Sequence, residues 1–263
     1  MVDVQQRADA RAGRDPKGGR DPKGGSTAGG GSAGAGRRPE AVRGWQAETG
    51  FEAEDGRLTL RERKKLRTRQ RISGEATLLF IERGFDNVTV AEVARAAEVS
   101  TMTVFNYFPR KEDLFLDRIP EGQELIGRAV RERGPDETPL AALRRLVLDL
   151  LAERHPLCGV GEGFEHFWRT VLDSPALRAR AREAVEELEG TLAGLLAEAA
   201  GGDAGRPDHS ARLAAALIVA GIRTAYAEAV GRQLAGEPVG EVAAGQAEVL
   251  RRTFEALERA LPA

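Results

Sequence analysis

The chain has 263 residues, 30% of them charged and 41% hydrophobic, which is enough for one or two domains. A single cysteine, Cys158, excludes an intramolecular disulfide and a cysteine-built zinc site. No uninterrupted apolar run approaches the roughly 20 residues of a membrane span, and no apolar h-region opens the chain. A cytoplasmic protein without membrane attachment is therefore expected. The formal net charge of −2 is unevenly placed: residues 1–56 are neutral, 57–118 carry +4 and 119–263 carry −6. Within 57–71, Arg57, Arg61, Arg63, Lys64, Lys65, Arg67, Arg69 and Arg71 face only Glu62. A basic block in an acidic protein suits a polyanion at one end, nucleic acid above all, or else forms a solvated helix face.

In chain order, residues 1–56 hold 13 of the 31 glycines and a tandem repeat, Gly13–Gly18 then Gly19–Gly24. With so few large apolar groups, ordering such a segment is not offset by burial, and a disordered Gly/Arg-rich tail is predicted. From Thr59 the pattern changes. Ile72, Ala76, Leu79 and Phe80 form the apolar stripe of a first helix, ended by Gly84. Thr89 and Glu92 make a capping box for a short helix over 89–96 that buries Val90, Val93 and Ala94. Ala97-Glu98-Val99 is long enough only for a tight turn, and Ser100 is an N-cap for a third helix over 100–106. Two short helices joined by about three residues match a helix-turn-helix. In the third helix Val104, Phe105 and Phe108 are expected inward. Thr101, Met102, Thr103 and Asn106 then form an outer face whose methyls suit the thymine 5-methyl and whose polar groups reach base or phosphate acceptors. Capping and plain surface roles are the alternative for the same residues.

This stretch resembles the DNA-binding region of the tetracycline-repressor (TetR) family of bacterial regulators. The resemblance runs from Leu66 to Leu114, through Glu82-Arg83-Gly84-Phe85, Thr89 to Ala94, Ala97 to Ser100, Thr103 to Phe108 and Lys111 to Leu114. It implies that Thr101, Met102 and Thr103 read bases in the major groove. It further implies that Tyr107 and Lys111 hold the phosphate backbone, Lys111 from the start of a fourth helix, and that Thr89 lies near phosphate. Two positions depart from the family pattern. Phe105 stands where a tyrosine is usual, so a hydroxyl–phosphate contact is missing. Glu98 stands where glycine is common and is strained if its φ is positive. One such helix reads few base pairs, so a homodimer on a near-palindromic operator is expected.

Beyond the head, a fourth helix is predicted from Arg110 or Lys111, broken or kinked at Pro120 and ended by Gly134-Pro135. A fifth starts at Thr138-Pro139, a sixth holds Phe164, Phe167 and Trp168, and a seventh opens at Ser174-Pro175. An eighth runs from about Pro207 to Leu234 and a ninth from about Pro238 to Leu261. The fold class is all-α with about nine helices. A disordered tail (1–56) precedes an N-terminal three-helix helix-turn-helix domain (57–118) and a larger helical domain for effector binding and dimerisation (119–263). The last two helices carry apolar faces broad enough to need cover from a second copy. The family's larger domain commonly encloses a small-molecule site. Candidates here are Phe164, Phe167, Trp168 and Arg169, with Arg223 and Tyr226 on the eighth helix, although aromatics at this spacing also suit a plain core. His155, Cys158 and His166 lack regular metal-ligand spacing. Gly159-Val160-Gly161-Glu162-Gly163 lacks the strand and Gly-Lys-Ser/Thr of a phosphate loop. No cofactor, metal or enzymatic activity is expected. A ligand-responsive repressor is the expected function. An activator or ligand-independent regulator of the same fold is the alternative, ahead of a helical enzyme acting on small molecules.

Overall fold

The computed structural model describes residues 59–261; the predicted tail and Arg57 lie outside the described residues. Among these residues there are nine α-helices and no strand. They are α1 (Leu60–Arg83), α2 (Val90–Ala96), α3 (Thr101–Tyr107), α4 (Ile119–Arg131), α5 (Pro139–Ala152), α6 (Phe164–Asp173), α7 (Pro175–Ala199), α8 (His209–Leu234) and α9 (Val239–Ala260). The all-α expectation holds, and most ends fall where the local chemistry places them. Thr59 caps α1 in a reciprocal box with Glu62, and Thr89 and Glu92 do the same for α2. Thr138, Ser174 and Asp208 cap α5, α7 and α8 with side-chain oxygens that accept backbone N–H groups. Gly84 ends α1 at φ 81°, its N–H bonded to the Phe80 carbonyl.

The fourth helix corrects the sequence reading. Residues 112–114 form only a 3₁₀ turn, and α4 begins at Ile119 with Pro120 in its first turn. Proline there removes no hydrogen bond, because the first-turn N–H groups have no helical acceptor. Pro120 thus starts the helix rather than kinking it. The apolar character of α8 is spread over a long stretch. By length and composition it is apolar enough to cross a membrane, with an 18-residue window of mean hydropathy 1.5. Isolated charges such as Arg223 interrupt the apolar run without much lowering that average. In the fold this helix packs against α6, α7 and α9.

Two apolar clusters hold the structure. One joins α4, α5, α7, α8 and α9 through residues such as Leu143, Ile218, Leu250 and Phe254. The other is the core of the head: Ile72, Ala76 and Phe80 of α1, Val93 and Ala94 of α2, Val104 of α3, and Phe85, Phe108 and Phe115 from the connections. Val171 of α6 and Leu177 of α7 belong to this second cluster, so the head is bonded to the larger bundle by shared core and not by a linker alone. Ring contacts run through the junction: Phe80–Phe85 at 4.8 Å, Phe80–Phe115 at 5.9 Å, Phe115 stacked on Phe167 at 4.8 Å, and Phe167–Trp168 at 5.1 Å.

Candidate nucleic-acid interface

α2 and α3 are joined by four residues, Ala97 to Ser100, and the tightness of that turn falls on one residue. Glu98 sits at φ 52°, in the left-handed region. This is the strained case foreseen for a non-glycine side chain at this position. The turn is tied by Val99 N–H to the Ala94 carbonyl at 2.9 Å and Glu98 N–H to the Arg95 carbonyl at 3.2 Å. The side chains of Val93, Ala97 and Val104 are buried against α1 beneath it. The pair is thus held as a unit, and α3 presents one side outward.

On that side Thr101, Met102, Phe105 and Asn106 are exposed, while Thr103 and Tyr107 are half-buried and Val104 and Phe108 are buried. Phe105 is the exception to its expected place: it is 46% exposed and Met102 is 70% exposed. Helix geometry explains it. Val104 and Phe108, four residues apart, already share the inner face, and Phe105, directly after Val104, is rotated about 100° away. Ser100 caps the helix through Thr103 N–H at 3.0 Å, and the Ser100 and Thr103 hydroxyls bond each other at 2.8 Å. Thr103 is therefore engaged within its own first turn, and Thr101 is the freer of the two threonines.

The expected phosphate contacts are placed less uniformly. The Thr89 hydroxyl donates to the Glu92 carboxylate at 2.8 Å and accepts from the Glu92 N–H. The Thr89 N–H first, then its hydroxyl and Arg83, hold the Glu92 pKa down to about 2. Tyr107 packs against the head core. Lys111 departs most from its expected role. It caps a 3₁₀ turn and not a helix, and its ammonium donates to the Phe85 carbonyl at 2.6 Å while lying 4.2 Å over the Phe85 ring. Burial pushes its pKa down. In this conformation Lys111 braces the head, and a phosphate contact requires its side chain to swing outward. Of the basic block, Arg61, Lys64, Lys65, Arg67 and Arg71 are exposed along α1. Arg69 turns inward: it donates to the Asp117 carbonyl at 2.6 Å and lies over the Phe108 ring at 4.7 Å.

A cavity of about 350 Å³ lies in the bundle directly beyond the head. Of the candidate effector residues, Phe164, Phe167, Trp168 and Tyr226 line it. Arg169 and Arg223 do not: Arg169 is exposed in a separate cleft with Asp86 and Ser174, and Arg223 is exposed on α8. The sequence could not reveal that Phe115, Leu116, Asp117 and Arg118, the segment connecting head to α4, form part of the same wall. The floor is fixed by hydrogen bonds. Buried Gln233 donates to the Gly159 carbonyl at 2.8 Å and accepts from Gly161 N–H at 3.2 Å. Trp168 Nε1 donates to the same carbonyl at 3.0 Å, and the Tyr226 hydroxyl donates to the Leu157 carbonyl at 3.2 Å. The glycine-rich stretch is therefore braced by side chains, and its first residue, Gly159, lines the cavity. Burial raises the Tyr226 pKa, keeping its hydroxyl protonated. His155, Cys158 and His166 are not gathered into one site. His155 Nδ1 accepts from Leu157 N–H, the buried Cys158 thiol donates to the Val160 carbonyl, and His166 faces Glu165.

Residues 74–117 match the family described as bacterial regulatory proteins, tetR family. The HTH-type transcriptional regulator TcmR of Streptomyces glaucescens is 36% identical over 149 residues, 55% of this chain and 65% of that protein. The matched stretch thus covers less than two thirds of that relative. Among solved structures, NalD of Pseudomonas aeruginosa, the secondary repressor of the MexAB-OprM multidrug efflux pump, is 20% identical with a TM-score of 0.46, covering 73% of this chain and 97% of that one. The SmeT–triclosan complex is 14% identical with a TM-score of 0.49, covering 73% and 90%. Over residues 74–117, the helix-turn-helix head is thus similar to the tetR family of bacterial regulatory proteins.

Proposed function

We propose that this protein is a cytoplasmic transcription regulator that binds a near-palindromic duplex operator as a homodimer, and that a small apolar molecule in the bundle cavity changes its grip on DNA. Residues 57–118 act as the DNA-binding part and 119–263 as the effector-binding and dimerising part, with core packing continuing across the border at Val171 and Leu177. The observation that carries the reading is the outward α3, with its polar and apolar side chains in solvent although the head core is complete without them. Exposed cations on α1 add the sequence-independent attraction that phosphates supply.

Dimerisation is supported by α8, where Leu213 and Leu217, one turn apart, are 48% and 39% exposed. Effector response is supported by the shared wall. A ligand touching Phe115 and Asp117 touches the segment that Arg69 ties to α1 and that Phe167 stacks upon. A ligand that fits the cavity better in one head position than another shifts the equilibrium between them. Occupying the DNA would exclude polymerase, so repression is the expected sign.

The test is equilibrium binding of the full chain to a labelled random duplex library, followed by titration of the enriched sequence at several salt concentrations. Specific binding with a log–log salt slope of about −0.9 per phosphate contact is expected. A triple Arg61→Ala, Lys64→Ala, Lys65→Ala variant should weaken all sequences alike and flatten the slope. Absence of any enriched sequence, or a slope unchanged in the triple variant, refutes the assignment.

A further inference from the structure

Met102 and Phe105 are two of six large apolar side chains strongly exposed among the described residues. Keeping their exposed parts in water costs the free energy of hydrating that apolar surface, and neither belongs to the head core, whose inner face Val104 and Phe108 already close. They stand three residues apart on one helix face, so their Cβ atoms are about 5–6 Å from each other. Thr101 and Asn106 flank them on the same exposed side.

What covers this apolar pair follows from the surface that α3 is read as meeting. In the major groove the main apolar group is the C5-methyl of thymine. Base pairs succeed one another at about 3.4 Å along a strand, so two side chains 5–6 Å apart address methyls one or two steps apart. We infer that Phe105, together with Met102, is a specificity-determining residue that recognises thymine methyl groups, replacing a hydroxyl–phosphate contact with an apolar base contact. The inference rests on the reading of α3 as the DNA-facing helix. It adds that the half-site contains at least one thymine contacted through its methyl, and that selectivity against cytosine or uracil there is apolar in origin. Asn106, able to bond adenine at N6 and N7, fits the same A·T-containing half-site.

The experiment uses the full chain and the duplex enriched from the random library. Each thymine in a half-site is replaced singly by deoxyuridine, which removes only the methyl. The parent should lose about fourfold in affinity at one or two positions, the transfer cost of about one buried methyl, and should be indifferent elsewhere. Phe105→Ala should bind the thymine duplex more weakly and bind thymine and deoxyuridine forms equally at one of those positions. Because the side chain lies outside the core, its melting temperature should match the parent's. Phe105→Leu should keep part of the discrimination. An enriched duplex for which no deoxyuridine changes parental affinity by more than twofold overturns the inference while leaving DNA binding intact. So does a Phe105→Ala variant with the parental pattern of methyl dependence. Failure to enrich any sequence overturns both this inference and the function it rests on.

Discussion

Gly159 offers a sharp test of how the cavity floor is built. The residue sits at φ 66°, and a Cβ placed on it would stand 2.9 Å from Trp168 Cζ2 and 3.6 Å from the Tyr226 ring. Gly159→Ala therefore carries two separable costs. The left-handed backbone disfavours any Cβ by about 1–2 kcal/mol. The contact with Trp168 adds an overpacking cost of about 1–3 kcal/mol, because the indole is held by its own bond to the Gly159 carbonyl and cannot simply yield. Gly236 supplies the comparison: its φ is 81°, yet a Cβ there would meet nothing within 4 Å. Gly236→Ala should carry the backbone cost alone. At about 2–4 °C per kcal/mol for a chain of this size, the overpacking cost of about 1–3 kcal/mol should make Gly159→Ala melt about 2–12 °C below Gly236→Ala by circular dichroism. Melting temperatures for the two variants within 1 °C of each other would refute the steric argument. It would mean that Trp168 is free to move and that the cavity is soft rather than preformed. A displaced indole should also perturb tryptophan fluorescence in Gly159→Ala and leave it unchanged in Gly236→Ala.

Two further outcomes are expected. Glu92, held down to about 2 chiefly by the Thr89 backbone and hydroxyl and secondarily by Arg83, has a folded pKa below its unfolded value, so its contribution is complete above about 4.5 and is lost as pH falls through about 2. Glu92→Gln should accordingly lower the head's stability at pH 7 and flatten the acid limb of the unfolding curve between those values, and an acid limb parallel to the parent's counts against this capping role. On α8, Leu213→Glu with Leu217→Glu should turn the proposed dimer into a monomer in sedimentation velocity. Reburying each half-exposed leucine contributes about 1 kcal/mol, and four such side chains per dimer amount to about a thousandfold in the dimer dissociation constant. An unchanged sedimentation coefficient places the interface elsewhere.

The sequence was most informative where local chemistry decides the outcome. Thr89 with Glu92, Ser100, Thr138 with Pro139, and Ser174 with Pro175 each place a helix start to within a residue or so, because a cap depends only on neighbours three positions away. The strain at Glu98 was anticipated only through the resemblance, which has glycine at that position, and the structure supplies the positive φ. The sequence misled where a local signal has two readings. Pro120 breaks a helix in its middle and opens one at its start, and only the packing that leaves residues 115–118 as a connection says which applies.

The candidate site divides along the same line. The residue types that could face DNA, and the aromatic cluster near 164–168, are written in the sequence. Which of them face outward is not. Phe105 and Val104 are adjacent and both apolar, and the burial of one with exposure of the other depends on where α1 lies. Lys111 carries a formal charge in any sequence reading, but its ammonium is folded onto Phe85, a residue 26 positions away, by cation–π attraction and an available carbonyl. The pairing of Gln233 with the Gly159–Gly161 backbone spans more than 70 residues. Local chemistry thus determined the helices and their order. The cavity, its wall shared with the head, and the outward apolar pair on α3 were decided only when distant segments came to compete for the same buried volume.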